Sequence, residues 1–127
     1  MIRTSAVRTT LVLASILGVA AVLAATALGR GTATPTLVGT VGPGYTITLT
    51  MSNKVVKTLK AGTYKLVIHD KATIHAFSLD GPNGYAKDFT TVPFVGTKTF
   101  TVKFKAGAYK YYCPPHESIM FGHFTVK

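Results

Sequence analysis

The stretch Lys-Thr-Phe-Thr-Val-Lys-Phe-Lys, residues 98–105, alternates between polar and apolar side chains along its whole length. Successive side chains of a β-strand point to opposite faces of the sheet, so Phe100, Val102 and Phe104 lie on one face. The lysines and threonines lie on the other face, in contact with solvent. The stretch therefore predicts a half-buried strand that packs one face against a hydrophobic core.

The chain beyond residue 44 repeats this period of two, with β-branched and aromatic residues between turn signals. No segment there keeps the 3.6-residue period of an amphipathic helix. We therefore predict an all-β fold, an antiparallel Greek-key β-sandwich, because a single open sheet of this composition would leave an apolar face in water. The predicted strands cover residues 45–51, 55–59, 63–69, 74–79, 98–105, 108–112 and 121–126.

Two similar hexapeptides support this architecture. They are Lys-Ala-Gly-Thr-Tyr-Lys at residues 60–65 and Lys-Ala-Gly-Ala-Tyr-Lys at residues 105–110, and they differ at one position. Each of them joins one predicted strand to the next. The repetition predicts two similar corners in a sandwich of two packed sheets.

The N-terminal residues have the three parts of an export signal. Arg3 and Arg8 make a basic region, residues 11–23 are apolar, and Ala25-Thr26-Ala27 is a small-residue cleavage site. We expect residues 1–27 to be a signal peptide, cleaved after Ala27, and the protein to be periplasmic, cell-surface or extracellular.

An uncleaved anchor is the alternative for this region, because residues 11–28 have about the minimum length of a membrane-spanning helix. Residues 28–44 are rich in Gly, Thr and Pro and predict a linker. Residues 45–127 are then one small domain. A chain of 127 residues excludes large or multidomain enzymes.

The chain is strongly basic, with 14 lysines and arginines against 4 aspartates and glutamates. Cleavage after Ala27 would remove Arg3 and Arg8 and reduce the formal net charge from +10 to +8. Such a domain attracts anions, so we expect acidic proteins, or an anionic envelope or lipid surface, as partners. Nucleic acid is not an expected partner, because the chain is exported and its lysines are spread along the sequence. The alternative that the basic charge only keeps the protein soluble stays open.

The single cysteine, Cys113, cannot form an internal disulfide and needs another explanation. It opens the pattern C-x2-H-x3-M with His116 and Met120, between two predicted strands, and His75 lies in an earlier apolar strand. A thiolate and two imidazoles suit a soft or borderline metal, and a thioether favours copper over zinc, calcium or magnesium. Taken singly, the cysteine and methionine would be ordinary core residues.

These residues resemble the cupredoxins, the blue copper proteins of the plastocyanin and pseudoazurin type. The likeness covers roughly residues 45–127 and rests on Asp-Lys-Ala-Thr-Ile-His-Ala-Phe at 70–77, the Ala-Gly-Thr-Tyr corner at 61–64, and the run at 111–126 that contains Cys-Pro-Pro-His-Glu-Ser-Ile-Met. The resemblance implies a monomer that transfers single electrons between redox proteins. It also implies one type 1 copper ion, with His75, Cys113, His116 and Met120 as its ligands.

Further expectations concern the surroundings of this site and the remaining polar residues. Cupredoxins commonly carry asparagine after the first ligand histidine, and Ala76 stands at that position here. The outer edge of the His116 imidazole is the expected electron port, because Pro115, Ile119 and Phe121 flank it. His69 and His123 match no ligand position and are predicted to be surface histidines on strands, and Glu117 a solvated turn residue.

Other functional classes fit less well. Cys-Pro-Pro-His lacks the resolving cysteine and following helix of a thiol oxidoreductase, and no third group orients the histidine as in a Cys–His hydrolase. We therefore predict that the protein is not an enzyme. A copper-binding module for storage, sensing or delivery stays open, as does a cationic adhesion domain with a vestigial site.

Overall fold

The computed structural model describes residue 29 and residues 31–127, and Thr32–Lys127 form one compact unit. The predicted signal peptide or anchor, residues 1–28, lies outside the described residues. Among the described residues, no helix is long and apolar enough to cross a membrane. The described part contains ten strands: β1 (Thr36–Val41), β2 (Ile47–Met51), β3 (Lys54–Val55), β4 (Thr58–Leu59), β5 (Gly62–Asp70), β6 (Ser78–Asp80), β7 (Ala86–Asp88), β8 (Gly96–Phe104), β9 (Gly107–Tyr112) and β10 (Phe121–Val126).

The strands form two five-stranded sheets that enclose one core. The first has the order β3-β2-β1-β5-β8 and the second β4-β10-β9-β6-β7. The pairs β1–β5 and β4–β10 are parallel, and the other pairs are antiparallel. The predicted all-β sandwich is confirmed, with these two parallel pairs as an addition.

The residues buried in the core follow the alternation of polar and apolar residues in the sequence. In β8, Val102 and Phe104 are buried and Phe100 is partly buried, while the intervening residues are exposed. The neighbouring strand β5 buries Leu66 and Ile68 in the same alternating way. Each such aliphatic side chain contributes about 1.5–3 kcal/mol by leaving water. The half-buried strand predicted at residues 98–105 is therefore confirmed.

The linker prediction is wrong over Thr36–Val41. These residues form β1, which pairs with both β2 and β5 in the middle of the first sheet. Leu37 and Val41 are fully buried. In the sequence, Gly39 interrupts the alternation of apolar and polar residues. The structure leaves no room for a side chain at this position, because a Cβ there would lie 2.6 Å from Ile68 Cδ1.

The predicted strand at residues 74–79 is also wrong over residues 74–77, since the strand here is Ser78–Asp80. His75 and Ala76 lie in the preceding turn, where His75 N–H donates to Ala72 O at 3.2 Å. A further difference is the short strand β7, which lies in what the sequence predicts to be a long connection. The predicted strand at residues 55–59 is divided between β3 and β4.

The two similar hexapeptides form two similar corners at one end of the sandwich, which we call the corner end. Gly62 and Gly107 begin β5 and β9 with φ of +150° and +147°. The Tyr64 hydroxyl donates to Lys60 O at 2.8 Å, and the Tyr109 hydroxyl donates to Lys105 O at 3.0 Å. The predicted corners are therefore confirmed.

The opposite end, which we call the metal end, is where β1 and β5 finish and β2 and β10 begin. Asp70 pairs there with Val41 and Gly96, and Tyr112 pairs with Phe121. The loops at this end come from distant parts of the chain. They bring the predicted ligands together.

Candidate metal centre

Three of the four predicted ligands converge on one point at the metal end. Cys113 Sγ lies 3.7 Å from His75 Nδ1 and 3.7 Å from His116 Nδ1. The two Nδ1 atoms are 3.2 Å apart. Among the described residues, these three side chains form the group of histidine, cysteine and acidic residues that could hold a metal ion.

The separations fit a metal ion bound by all three atoms. Ligand atoms placed about 2.0–2.3 Å from one ion in a trigonal arrangement lie about 3.5–4.0 Å from each other. The two distances of 3.7 Å fall in this range, and the distance of 3.2 Å is slightly below it. One thiolate and two imidazoles in this arrangement suit copper, which prefers soft and borderline ligands.

Backbone hydrogen bonds hold the loop that carries two of these ligands. Cys113 N–H donates to Met120 O at 3.0 Å, and Met120 N–H donates to His116 O at 2.9 Å. His116 N–H donates to Cys113 O at 3.0 Å across the 3-10 turn Pro114–His116. The two prolines restrict the backbone of this turn. The loop therefore sets the separation of Cys113 from His116.

Met120 is buried and closes the same loop. It belongs to the hydrophobic cluster that contains Cys113, and it directly precedes β10. Its backbone hydrogen bonds tie it to both Cys113 and His116. Its assignment as a weak axial ligand stays a prediction.

The Cys113 thiol is fully buried. Burial raises its pKa, and the charge of Asp70 acts in the same direction, while backbone hydrogen bonds from Ala76 and His116 act in the opposite direction. A thiol with a raised pKa is a poor nucleophile, so this environment suits a ligand that a metal deprotonates on binding. It does not suit a reactive enzymatic cysteine.

The segment that carries His75 is held without the asparagine that cupredoxins commonly have after this histidine. Ala76 N–H donates to Cys113 Sγ at 3.4 Å. Phe77 N–H donates to the hydroxyl oxygen of Thr90 at 2.9 Å, and Thr90 is buried. Sequence reasoning missed Thr90, because nothing in the connection between β7 and β8 marks it as a contact of a distant histidine segment.

Sequence reasoning also missed the loop that covers the two histidines. The Tyr45 ring makes edge-to-face contacts with His75 and His116, at centroid distances of 5.4 Å and 4.9 Å. Tyr45 is itself 58% exposed. Gly42 lies in the same loop, and a Cβ there would be 2.9 Å from His75 Cδ2. The predicted strand at residues 45–51 concealed this role of Tyr45, because β2 begins at Ile47.

The other polar residues of the sequence prediction are not members of the cluster. His69 is on β5, and its Nδ1 forms a hydrogen bond with the Thr97 hydroxyl at 2.9 Å. His123 is exposed on β10. Glu117 is exposed in the loop and pairs with Lys110 at 2.7 Å. The predictions of two strand histidines and a solvated turn residue are confirmed.

Several apolar residues that are near His116 in the sequence are exposed. His116 is partly exposed, whereas His75 is buried. Ile119 is 63% exposed and Phe121 46% exposed, and Pro114 and Pro115 are also exposed. Pro115, Ile119 and Phe121 are the residues that the sequence prediction placed around His116, and the structure leaves them in contact with solvent.

Comparisons with known proteins agree with this site. The model of a family described as copper binding proteins, plastocyanin/azurin family, matches residues 46–127. A methionine-to-glutamine variant of rusticyanin has 24% identity, with 72% of this chain and 76% of that chain covered, and a TM-score of 0.52. Another structure, of the copper protein rusticyanin, has 22% identity over the same shares and a TM-score of 0.51. No curated protein sequence matches the chain.

The family match covers β2 to β10 and the three clustered side chains. The two rusticyanin structures support the β-sandwich fold. The family and the cluster of His75, Cys113 and His116 together identify a site for one copper ion. The predicted cofactor is confirmed.

Proposed function

Because this chain belongs to the plastocyanin/azurin family of copper-binding proteins, we propose that it is an exported carrier of single electrons between redox proteins. The observation that supports this most strongly is that the donor atoms of His75, Cys113 and His116 lie 3.2–3.7 Å apart and are held by the protein's own hydrogen bonds. Ligands held in this way move little when the charge of their ion changes. Electron transfer is fastest when so little rearrangement is needed.

Copper supplies the one-electron chemistry of such a site. The protein supplies the ligands His75, Cys113 and His116, and Met120 is proposed as the weak axial ligand. Burial of Cys113 and His75 excludes water from the thiolate and from one imidazole. We propose that the chain acts as a carrier, and the same burial, which raises the pKa of the Cys113 thiol, argues against nucleophilic catalysis by this residue.

Electrons are proposed to enter and leave through His116. It is the partly exposed member of the cluster, and the exposed ring of Tyr45 lies against its imidazole. Ile119 and Phe121 provide an apolar contact surface beside it. Electron-transfer complexes are small and short-lived, so a limited apolar contact permits both docking and release.

The basic charge is proposed to attract acidic redox partners before contact. We expect the second-order rate of reduction by an acidic donor protein to fall as ionic strength rises, because salt screens this attraction. A neutral donor is the control and should show little change. Stopped-flow reduction of the copper-loaded protein measures both rates. Equal salt dependence for the two donors would contradict docking by charge and would favour retention at an anionic envelope.

The function is tested first by the colour of the copper-loaded protein. We expect one Cu(II) per chain, with an intense sulfur-to-copper absorption band and a type 1 spin-resonance spectrum. Cys113→Ser should remove the band, while His123→Asn should retain it, since His123 is an exposed histidine outside the cluster. An unchanged band in Cys113→Ser would overturn the assignment.

A copper delivery module is the second candidate. A cleft of about 180 Å³ lies beside the ligand loop, lined in part by Ala76, Pro114 and Pro115. It leaves space into which the loop could move during metal exchange. An electron carrier should keep its copper through repeated oxidation and reduction in the presence of a Cu(I) chelator. Rapid loss of copper in the reduced state would favour delivery.

A further inference from the structure

Asp70 is a buried carboxylate to which the proposed function gives no role. It lies at the end of β5 and is 2% exposed. Its Oδ1 accepts a long hydrogen bond of 3.4 Å from Ala72 N–H, and its Oδ2 has no partner. Within the described part of the chain, the other buried side-chain polar atom without a partner is Nε2 of His75.

An unpaired buried carboxylate is costly, because burial removes the water that stabilises its charge. The ion pair found in residues 31–127 joins Lys110 to Glu117 and does not involve Asp70. Most of the lysines on the described strands are exposed and point away from the core. Within residues 31–127, Asp70 therefore has no ion-pair partner that balances its charge.

Asp70 is near the metal centre through the loop that holds His75. The Ala72 amide that donates to Asp70 and the Cδ2 atom of His75 lie on the same side of Gly42. A Cβ on Gly42 would be 3.6 Å from the first atom and 2.9 Å from the second. Cδ2 is bonded directly to the unpartnered Nε2.

We propose that Asp70 is the internal counter-charge of the copper centre and makes this site favour Cu(II) over Cu(I). The thiolate of Cys113 and the carboxylate of Asp70 together balance the two charges of Cu(II). With Cu(I), the same buried groups carry one uncompensated negative charge.

The proposal rests on copper binding by His75, Cys113 and His116, which the proposed function also requires. It does not depend on electron transfer to a partner. Asp70 acts on the ion through its charge and without touching it, so it is a positioning residue. Its removal should change the preference between the two oxidation states, which a purely structural residue would not do.

The test compares Asp70→Asn with Asp88→Asn in the full chain. Both changes remove one negative charge, but Asp88 is exposed on β7. The dissociation constants for Cu(II) and Cu(I) are measured by competition with chelators. In Asp70→Asn we expect the ratio of the Cu(II) to the Cu(I) constant to rise at least about tenfold, equivalent to a potential raised by about 59 mV for one electron. Asp88→Asn should leave the ratio unchanged.

The outcomes separate this proposal from the function proposed above. Equal weakening of both oxidation states, or the same ratio in both variants, would overturn the role of Asp70 alone. Absence of copper binding in the unsubstituted protein would overturn the proposed function as well. Asp70→Glu should restore the original ratio. If Asp70→Asn does not fold, Asp70→Ser replaces it, and failure of both to fold without copper would show that Asp70 is structural and overturn the proposal.

Discussion

The two ends of the sandwich are built in opposite ways. At the corner end, two nearly identical hexapeptides form the same turn, with a left-handed glycine and a tyrosine hydroxyl bonded to a carbonyl four residues earlier. At the metal end, loops of unrelated sequence meet around His75, Cys113 and His116. Local sequence therefore determines the corner end, whereas the metal end depends on contacts between residues far apart in the chain.

This difference predicts a different response to the same substitution. Gly42 at the metal end has φ of +73°, and Gly84, whose turn lies against the corner at Gly107, has φ of +74°. Replacing either by alanine costs about 1–2 kcal/mol in backbone strain. A Cβ on Gly42 would also lie 2.9 Å from His75 Cδ2, whereas a Cβ on Gly84 has nothing within 4 Å.

We therefore expect Gly42→Ala to weaken copper binding by about 10–100-fold, because it displaces the imidazole of a ligand. Gly84→Ala is the matched control and should lose similar stability without losing copper affinity. Chelator competition and thermal unfolding of both variants measure the two effects. Equal copper affinity in the two variants would contradict the view that the loop at Gly42 positions His75.

Sequence reasoning succeeded where a structure depends on neighbouring residues. The alternation at residues 98–105, the two corners and the spacing of Cys113 and His116 all lie within short stretches. It failed at β1, because Gly39 interrupts the apolar alternation. The reason for that glycine is its contact with Ile68 and Phe77, which the sequence alone does not reveal.

The surroundings of the metal were missed for the same reason. The Tyr45 ring contacts a histidine 30 residues later in the chain, and Thr90 contacts the backbone of Phe77 across 13 residues. Asp70 is proposed to act through a buried charge with no local pattern. A tyrosine in a strand-like segment and an aspartate before a turn are ordinary features of a sequence. Ligands with a fixed spacing could be predicted, but the residues that position them required the structure.

Substitutions at the corner end should lower the free energy of unfolding without changing the metal centre. Tyr109 forms two hydrogen bonds with Lys105, accepting from its N–H at 3.2 Å and donating to its carbonyl at 3.0 Å. Tyr64 forms the one bond to Lys60. We expect Tyr109→Phe to reduce the free energy of unfolding by about 1–2 kcal/mol, and Tyr64→Phe by about half as much.

Denaturant unfolding measures both losses, and the visible spectrum of the copper-loaded variants is the control. The phenylalanine at position 109 keeps the ring contacts with Phe104 and Phe124, so the loss reports the hydroxyl. The copper band should be unchanged in both variants. A shifted band would mean that the two ends are coupled and would contradict their separation.

The smallest effect is expected at Met120, where the metal end should tolerate a changed side chain. Its two backbone hydrogen bonds, to Cys113 and His116, do not depend on the side chain. Leucine has a similar volume, so Met120→Leu should cost less than about 1.5 kcal/mol in folding. The thiolate and the two imidazoles supply most of the bonding to copper, so the variant should keep the intense absorption band. Loss of a weak sulfur ligand, which stabilises Cu(II), should raise the reduction potential.

Met51→Leu is the matched control, since Met51 packs against the core at the far end of β2 and should leave the potential unchanged. Loss of all copper binding in Met120→Leu would show that Met120 is an equatorial or structural residue, and an unchanged potential would show that its sulfur is not a ligand.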